Sequence, residues 1–154
     1  MYQSYELACR YYLDNREREY ITVKMAALFL ESCSQAANNN THICREEVRE
    51  AKRLLDLAEF CDGTMPLGSK IKHLLLRSDQ YCFEQNIAMG IEKAKEAIGL
   101  IDRHGFELER DSAEKRLSRL YDLQRQEKKE LFSSELCSSS EYQPDNEGDS
   151  SCVE

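Results

Sequence analysis

The chain has 154 residues, 32% of them Asp, Glu, Lys or Arg, with seven Cys, six Gly, two Pro, no Trp and a formal net charge of −8. This length predicts one domain, and the excess of helix formers over breakers predicts an all-α fold. Residues 133–154 hold six acids (Glu135, Glu141, Asp145, Glu147, Asp149, Glu154) and no Lys or Arg; taking those six from 29 acids leaves 23 against 21 bases, a net of −2 for the body, which excludes the positive field of a nucleic-acid binder.

No window approaches the roughly 18 consecutive apolar residues of a membrane span. The opening MYQSYELACRYYLDN lacks the basic region and unbroken apolar run of a secretory signal. The seven cysteines are odd in number and fall mostly at helix-stripe positions, which reads as reduced thiols in a cytoplasmic or nuclear protein.

In chain order, a first helix is predicted over about Ser4 to Leu13, with Tyr5, Ala8 or Cys9, and Tyr12 on one side. A second, about Glu17 to Ala37, sets Ile21, Met25, Leu28, Ser32 and Ala36 on one stripe and stops at Asn38-Asn39-Asn40, residues that tolerate left-handed backbone. Thr41 is placed to cap a third helix, whose Cys44, Val48, Ala51, Leu55 and Ala58 repeat at helical spacing. Asp62-Gly63-Thr64-Met65-Pro66-Leu67-Gly68 is a loop by its punctuation and divides the chain into halves. Ser69 is placed to cap a fourth helix through Ile71, Leu75, Ser78 and Cys82. The stretch Phe83–Gly105 carries the clearest periodicity, with Ile87, Ile91, Ala94, Ile98 and Ile101 on one stripe and Glu92, Lys93, Lys95 and Glu96 off it, so the other helices are expected to organise around it. A last helix, about Asp111 to Leu131, turns Ala113, Leu117 and Leu120 inward, and its polar second half should project or fray.

The expected architecture is therefore a helical bundle of five or six antiparallel helices over residues 1–132, with two stacked three-helix units as a variant, followed by a disordered acidic Ser-rich tail at 133–154. A shift of 66 residues lays Arg53-Leu54-Leu55-Asp56-Leu57 on Arg119-Leu120-Tyr121-Asp122-Leu123 and Ile21 on Ile87, which suggests an internal repeat of 1–62 and 68–132. Helical hairpins of this length resemble tetratricopeptide-type and microtubule-interacting-and-transport-type modules. The likeness is one of architecture: the Trp, Gly, Tyr and Pro marks of the former are missing, and no residue is carried over from either.

Motifs for chemistry are sparse. There is no G-x-G-x-x-G and no G-K-[ST] to cradle a phosphate, and neither H-E-x-x-H nor paired E-x-x-H for a metal. Cys33, His42, Cys44 and Cys61 are the best available zinc set, but His42-Ile43-Cys44 is too tight for a ligand knuckle and no C-x-x-C occurs. Cys82 with His73 could pair as nucleophile and base only through folding, and Glu46-Glu47 and Glu107 with Glu109 read as solvated helix faces. No catalytic residue, metal or cofactor is expected. Gly90 and Gly99 each cost a helix interior about 1 kcal/mol relative to Ala, so something should lie close against them. The expected function is a non-enzymatic interaction or adaptor module, binding a helix or short peptide of another protein along Gly90, Ala94, Ala97, Ile98 and Ile101. The alternatives are a self-associating protein forming a homodimer and, third, a small helical hydrolase or nuclease. Ser138 and Ser151, each three residues before an acid, are the expected phosphorylation sites in the tail.

Overall fold

The computed structural model describes residues 15–39, 41–59 and 65–138, which fold into helices alone: α1 (Asn15–Asn38), α2 (Arg45–Glu59), α3 (Leu67–Phe83), α4 (Ile87–His104) and α5 (Glu107–Ser138). The all-α bundle expected from composition is the fold observed. The helix expected at Ser4–Leu13 and the tail from residue 139 onward lie outside the described residues. Among those described, no helix is long and apolar enough to cross a membrane.

Two tight turns set the antiparallel order of the second half. After α3, the N–H of Asn86 donates to the carbonyl of Tyr81 (2.9 Å) and that of Gln85 to Cys82 (3.1 Å). These are the paired bonds of a Schellman turn, and Gln85 takes its left-handed position at φ 61°. The side chain of Asn86 then caps α4 by accepting from the N–H of Met89 at 3.3 Å. The stretch Phe83–Gly105 is thus not one helix: Phe83 closes α3 and α4 begins four residues later. At the far end α4 stops on Gly105, φ 73°, whose N–H reaches the Ile101 carbonyl at 2.8 Å.

The organising element is α3 rather than α4. Among the described residues, helix α3 packs against all four of the others, whereas α4 makes extended contact with α3 and α5. Leu75 of α3 joins Ile71, Leu74, Ala97, Ile101 and Ala113 in a core shared with α4 and α5, while its neighbour Leu76 packs on Ala26, Leu30, Ala51, Leu54 and Leu55 from α1 and α2. One helix therefore belongs to both cores. A third cluster, Ile87, Ile91, Ala94 and Leu120, holds the other end of α4 against α5. Polar side chains of α3 tie it sideways: Asp79 takes Arg116 of α5 (Nε to Oδ2, 2.9 Å), and His73 and Arg77 reach α2.

Several local expectations change. Ser69 is not a cap, since Pro66 precedes the first turn and Ser69 lies within it. Thr41 does not cap α2; its hydroxyl donates to the Ala36 carbonyl at 3.0 Å and so closes α1. On α1 the inward stripe is Thr22, Val23, Ala26, Leu30 and Cys33, while Leu28 and Ser32 of the predicted stripe are exposed. Apolar residues occupy most of that helix's circumference, so spacing alone did not choose the face. Helix α5 starts at Glu107, before the expected Asp111, and is helical to Ser138. Its second half does project: Leu131 and Phe132 are 65% and 70% exposed. Under the 66-residue shift α1 and α4 end in register, at Asn38 and His104, and Leu54 and Leu120 are both buried, yet the turn at Gln85 has no counterpart in the unbroken α1.

Candidate functional site

The stripe assigned to a partner is filled by the chain itself. Gly90, Ala94, Ala97 and Ile101 are buried and Ile98 is half-buried against the core. A Cβ on Gly90 would lie 3.2 Å from Leu120 Cδ2 of α5 and 3.2 Å from the carbonyl oxygen of Ser78 in α3. The close neighbour demanded by a helix-interior glycine is thus the rest of the bundle. Gly99 is different, since a Cβ there would meet only Arg103 Nη2, at 3.8 Å. Of the two serines, Ser138 closes α5 and Ser151 lies outside the described residues.

The sequence pairs proposed for chemistry do not meet. His73 and Cys82 stand nine positions apart on α3, which puts them roughly 13 Å apart along the axis and on opposite sides of it. Cys33 is buried, its thiol donating to Glu47 Oε2 at 3.7 Å, and burial with the Glu47 carboxylate nearby pushes it up to about 11. His42 and Cys44 are exposed, and Cys61 lies outside the described residues. No group of three or more potential metal ligands forms among those described.

Two open clefts flank α3. The larger, about 630 Å³, lies between α2 and α4 and is lined by His73, Arg77, Tyr81, Asp56, Glu59 and Lys93 among others. Arg77, Lys93 and His73 in it are each held by a partner. The Arg77 side chain, 7% exposed, donates to Asp56, to Glu59 (3.0 Å) and to the amide oxygen of Gln80 (3.4 Å). Lys93 pairs with Glu96 at 3.0 Å. His73 Nε2 sits 2.9 Å from the Leu55 carbonyl, so that nitrogen carries the proton and donates. Burial lowers the imidazole's pKa, the Arg77 charge adds to this, and the Leu55 carbonyl opposes both. A histidine held neutral on a backbone carbonyl pins α2 to α3 and leaves no base aimed at the cleft through Nε2.

The second cleft, about 380 Å³, is a groove between α1 and α5 floored by α3. Each helix contributes one stripe: Tyr20, Val23, Lys24 and Ala27 from α1; Ser69, Lys72, Leu75 and Leu76 from α3; Leu108, Glu109, Ser112 and Arg116 from α5. Spacings of three, four and seven residues put each set on one helical face. The floor is aliphatic, and apolar side chains stand on the rims, with Leu108 94% and Tyr20 56% exposed. Sequence reading missed this groove because its members come from three helices and form no continuous pattern in any one. The isolated signal was Leu108, an apolar residue amid the charges of Glu107, Glu109, Arg110 and Asp111. Comparison with protein-family models, with curated proteins and with solved structures gave no match in any of the three.

Proposed function

We propose that the protein is a non-enzymatic binding module that takes a helix or short peptide of another protein in the groove between α1 and α5. The observation that supports it is the exposure of Leu108 and Tyr20 on the rims of an aliphatic floor. Burial of apolar area drives association, and a trough between two helices suits a third helix presenting residues at i, i+3 or i+4, and i+7. The test is quantitative affinity purification with the full-length chain, wild type against Ala27→Trp and Leu108→Asp. Ala27→Trp fills the trough and Leu108→Asp removes an apolar rim. Partners that depend on the groove disappear from both variants and persist in Glu92→Lys, a change on the exposed side of α4. Equal recovery from all four proteins refutes the reading.

Self-association is the second reading, favoured by a separate observation. Beyond Asp122, α5 carries exposed Leu131 and Phe132 on a segment that leaves the bundle, and a projecting helix with an apolar edge can pair with its own copy. Sedimentation over a concentration series decides it: a monomer throughout excludes the dimer, and a dimer dissociated by Phe132→Glu establishes it.

A further inference from the structure

We infer that the groove between α1 and α5 selects an acidic amphipathic helix of another protein. This rests on the groove being the binding surface proposed above and names the chemistry of its occupant. The groove is positive although the chain carries a net −8. Lys24 and Lys72 both line it and both are exposed, and neither has a carboxylate within ion-pair distance among the described residues. Lys24 Nζ instead sits 5.5 Å from the centre of the Tyr20 ring, on the rim. Arg116, the third cation, is neutralised by Asp79, and Glu109 is the one acid of the lining.

The helix starts reinforce the two exposed lysines. Helices α3 and α5 both begin at this end of the bundle, where the Phe106 ring would lie 3.5 Å from a Cβ on Gly68. Their first turns supply Ser69, Leu108 and Glu109 to the lining, and the partial positive charge of a helix N-terminus favours an anion. A ligand helix would set its apolar stripe on Val23, Ala27, Leu75 and Leu76 and its carboxylates beside Lys24 and Lys72. The chain's own residues 139–154 match the charge, with five acids and no base, but not the floor. Their apolar side chains are only Tyr142, Cys152 and Val153, and Pro144 and Gly148 oppose a helix. The occupant is therefore a segment of another protein.

The test measures fluorescence anisotropy of labelled synthetic peptides with the full-length protein. One peptide of about five turns has Leu and Ala on one face and Glu on the rest; a second has Lys in place of Glu; a third is residues 139–154. The acidic helix should bind at least about tenfold more tightly than the basic one. The double variant Lys24→Glu/Lys72→Glu should lower its affinity about tenfold, and raising salt from about 0.05 M to about 0.5 M should narrow the gap between the peptides. Both lysines are exposed, so circular dichroism should show the variant folded as the wild type. Equal binding of both helical peptides, abolished by Ala27→Trp, overturns the charge selectivity while leaving the groove as the binding site. Binding of neither overturns the groove as well. Tightest binding by the 139–154 peptide assigns the groove to the chain's own tail. A dimer in sedimentation that Leu108→Asp dissociates assigns it to a second copy, and either result overturns the inference.

Discussion

Replacing the two glycines of α4 by alanine separates close packing from helix propensity. Ala in place of Gly favours a helix interior by about 0.5–1 kcal/mol at either position. At Gly99 nothing opposes this gain, because the new methyl meets only the flexible end of Arg103 at 3.8 Å. At Gly90 the methyl would sit 3.2 Å from both Leu120 Cδ2 and the Ser78 carbonyl oxygen. Leu120 can rotate, but the carbonyl belongs to the backbone of α3, which the other four helices hold in place. Overpacking of a close-packed core costs about 1–3 kcal/mol, so Gly90→Ala should lose about 1 kcal/mol net. Gly99→Ala should gain up to about 1 kcal/mol, and the two melting temperatures should differ by about 4–8 °C for a chain of this size. Urea unfolding followed by circular dichroism measures both variants. A Gly90→Ala variant as stable as Gly99→Ala would refute close contact of α4 with the Ser78 carbonyl.

Three further outcomes follow from other parts of the bundle. His73 has a pKa lowered from its ordinary 6.5, so the unfolded chain takes up the proton first. Stability it contributes above about pH 6.5 is therefore lost as pH falls through the lowered folded value; wild type should weaken more steeply than His73→Gln on acidification, and parallel pH profiles in urea titrations would refute this. The left-handed positions should respond oppositely to substitution: Gln85→Gly should stabilise by up to about 1 kcal/mol and Gly105→Ala should destabilise by about 1 kcal/mol, as read from thermal melts. Among Cys33, Cys44 and Cys82, an aromatic disulfide reagent followed by peptide mass mapping should modify exposed Cys44 first. Cys33 should react last, because its buried thiol is pushed up to about 11 and thiolate is the reacting form.

The helical class and the inward faces of α2 and of the first half of α5 were legible because apolar residues recur there at helical spacing among charges; the loop expected at 62–68 lies partly outside the described residues, and its last two residues open α3. Val48, Ala51, Leu55 and Ala58 repeat at helical spacing among charges, and all four are buried. The same logic misplaced the centre of the fold. A half-buried helix such as α4 shows a clear apolar stripe, whereas α3 is buried on several sides, including at His73, Arg77, Ser78 and Gln80, and a helix covered most of the way round shows only a narrow polar face. A glycine inside a helix demands a close neighbour, and Gly90 has one, but spacing could not say whether that neighbour was another protein or Leu120.

The groove marks the same boundary. Tyr20, Lys72 and Leu108 lie 52 and 36 residues apart in the chain and line one surface because α1 and α5 both pack on α3 without extended contact between them. Local composition and periodicity determined that these segments are helices, since propensity and an apolar stripe act within a few turns. Which stripes meet, which residue is left at the rim, and that two lysines without an ion-pair partner among the described residues face the same trough were decided by tertiary packing, because those contacts join residues that no local pattern connects.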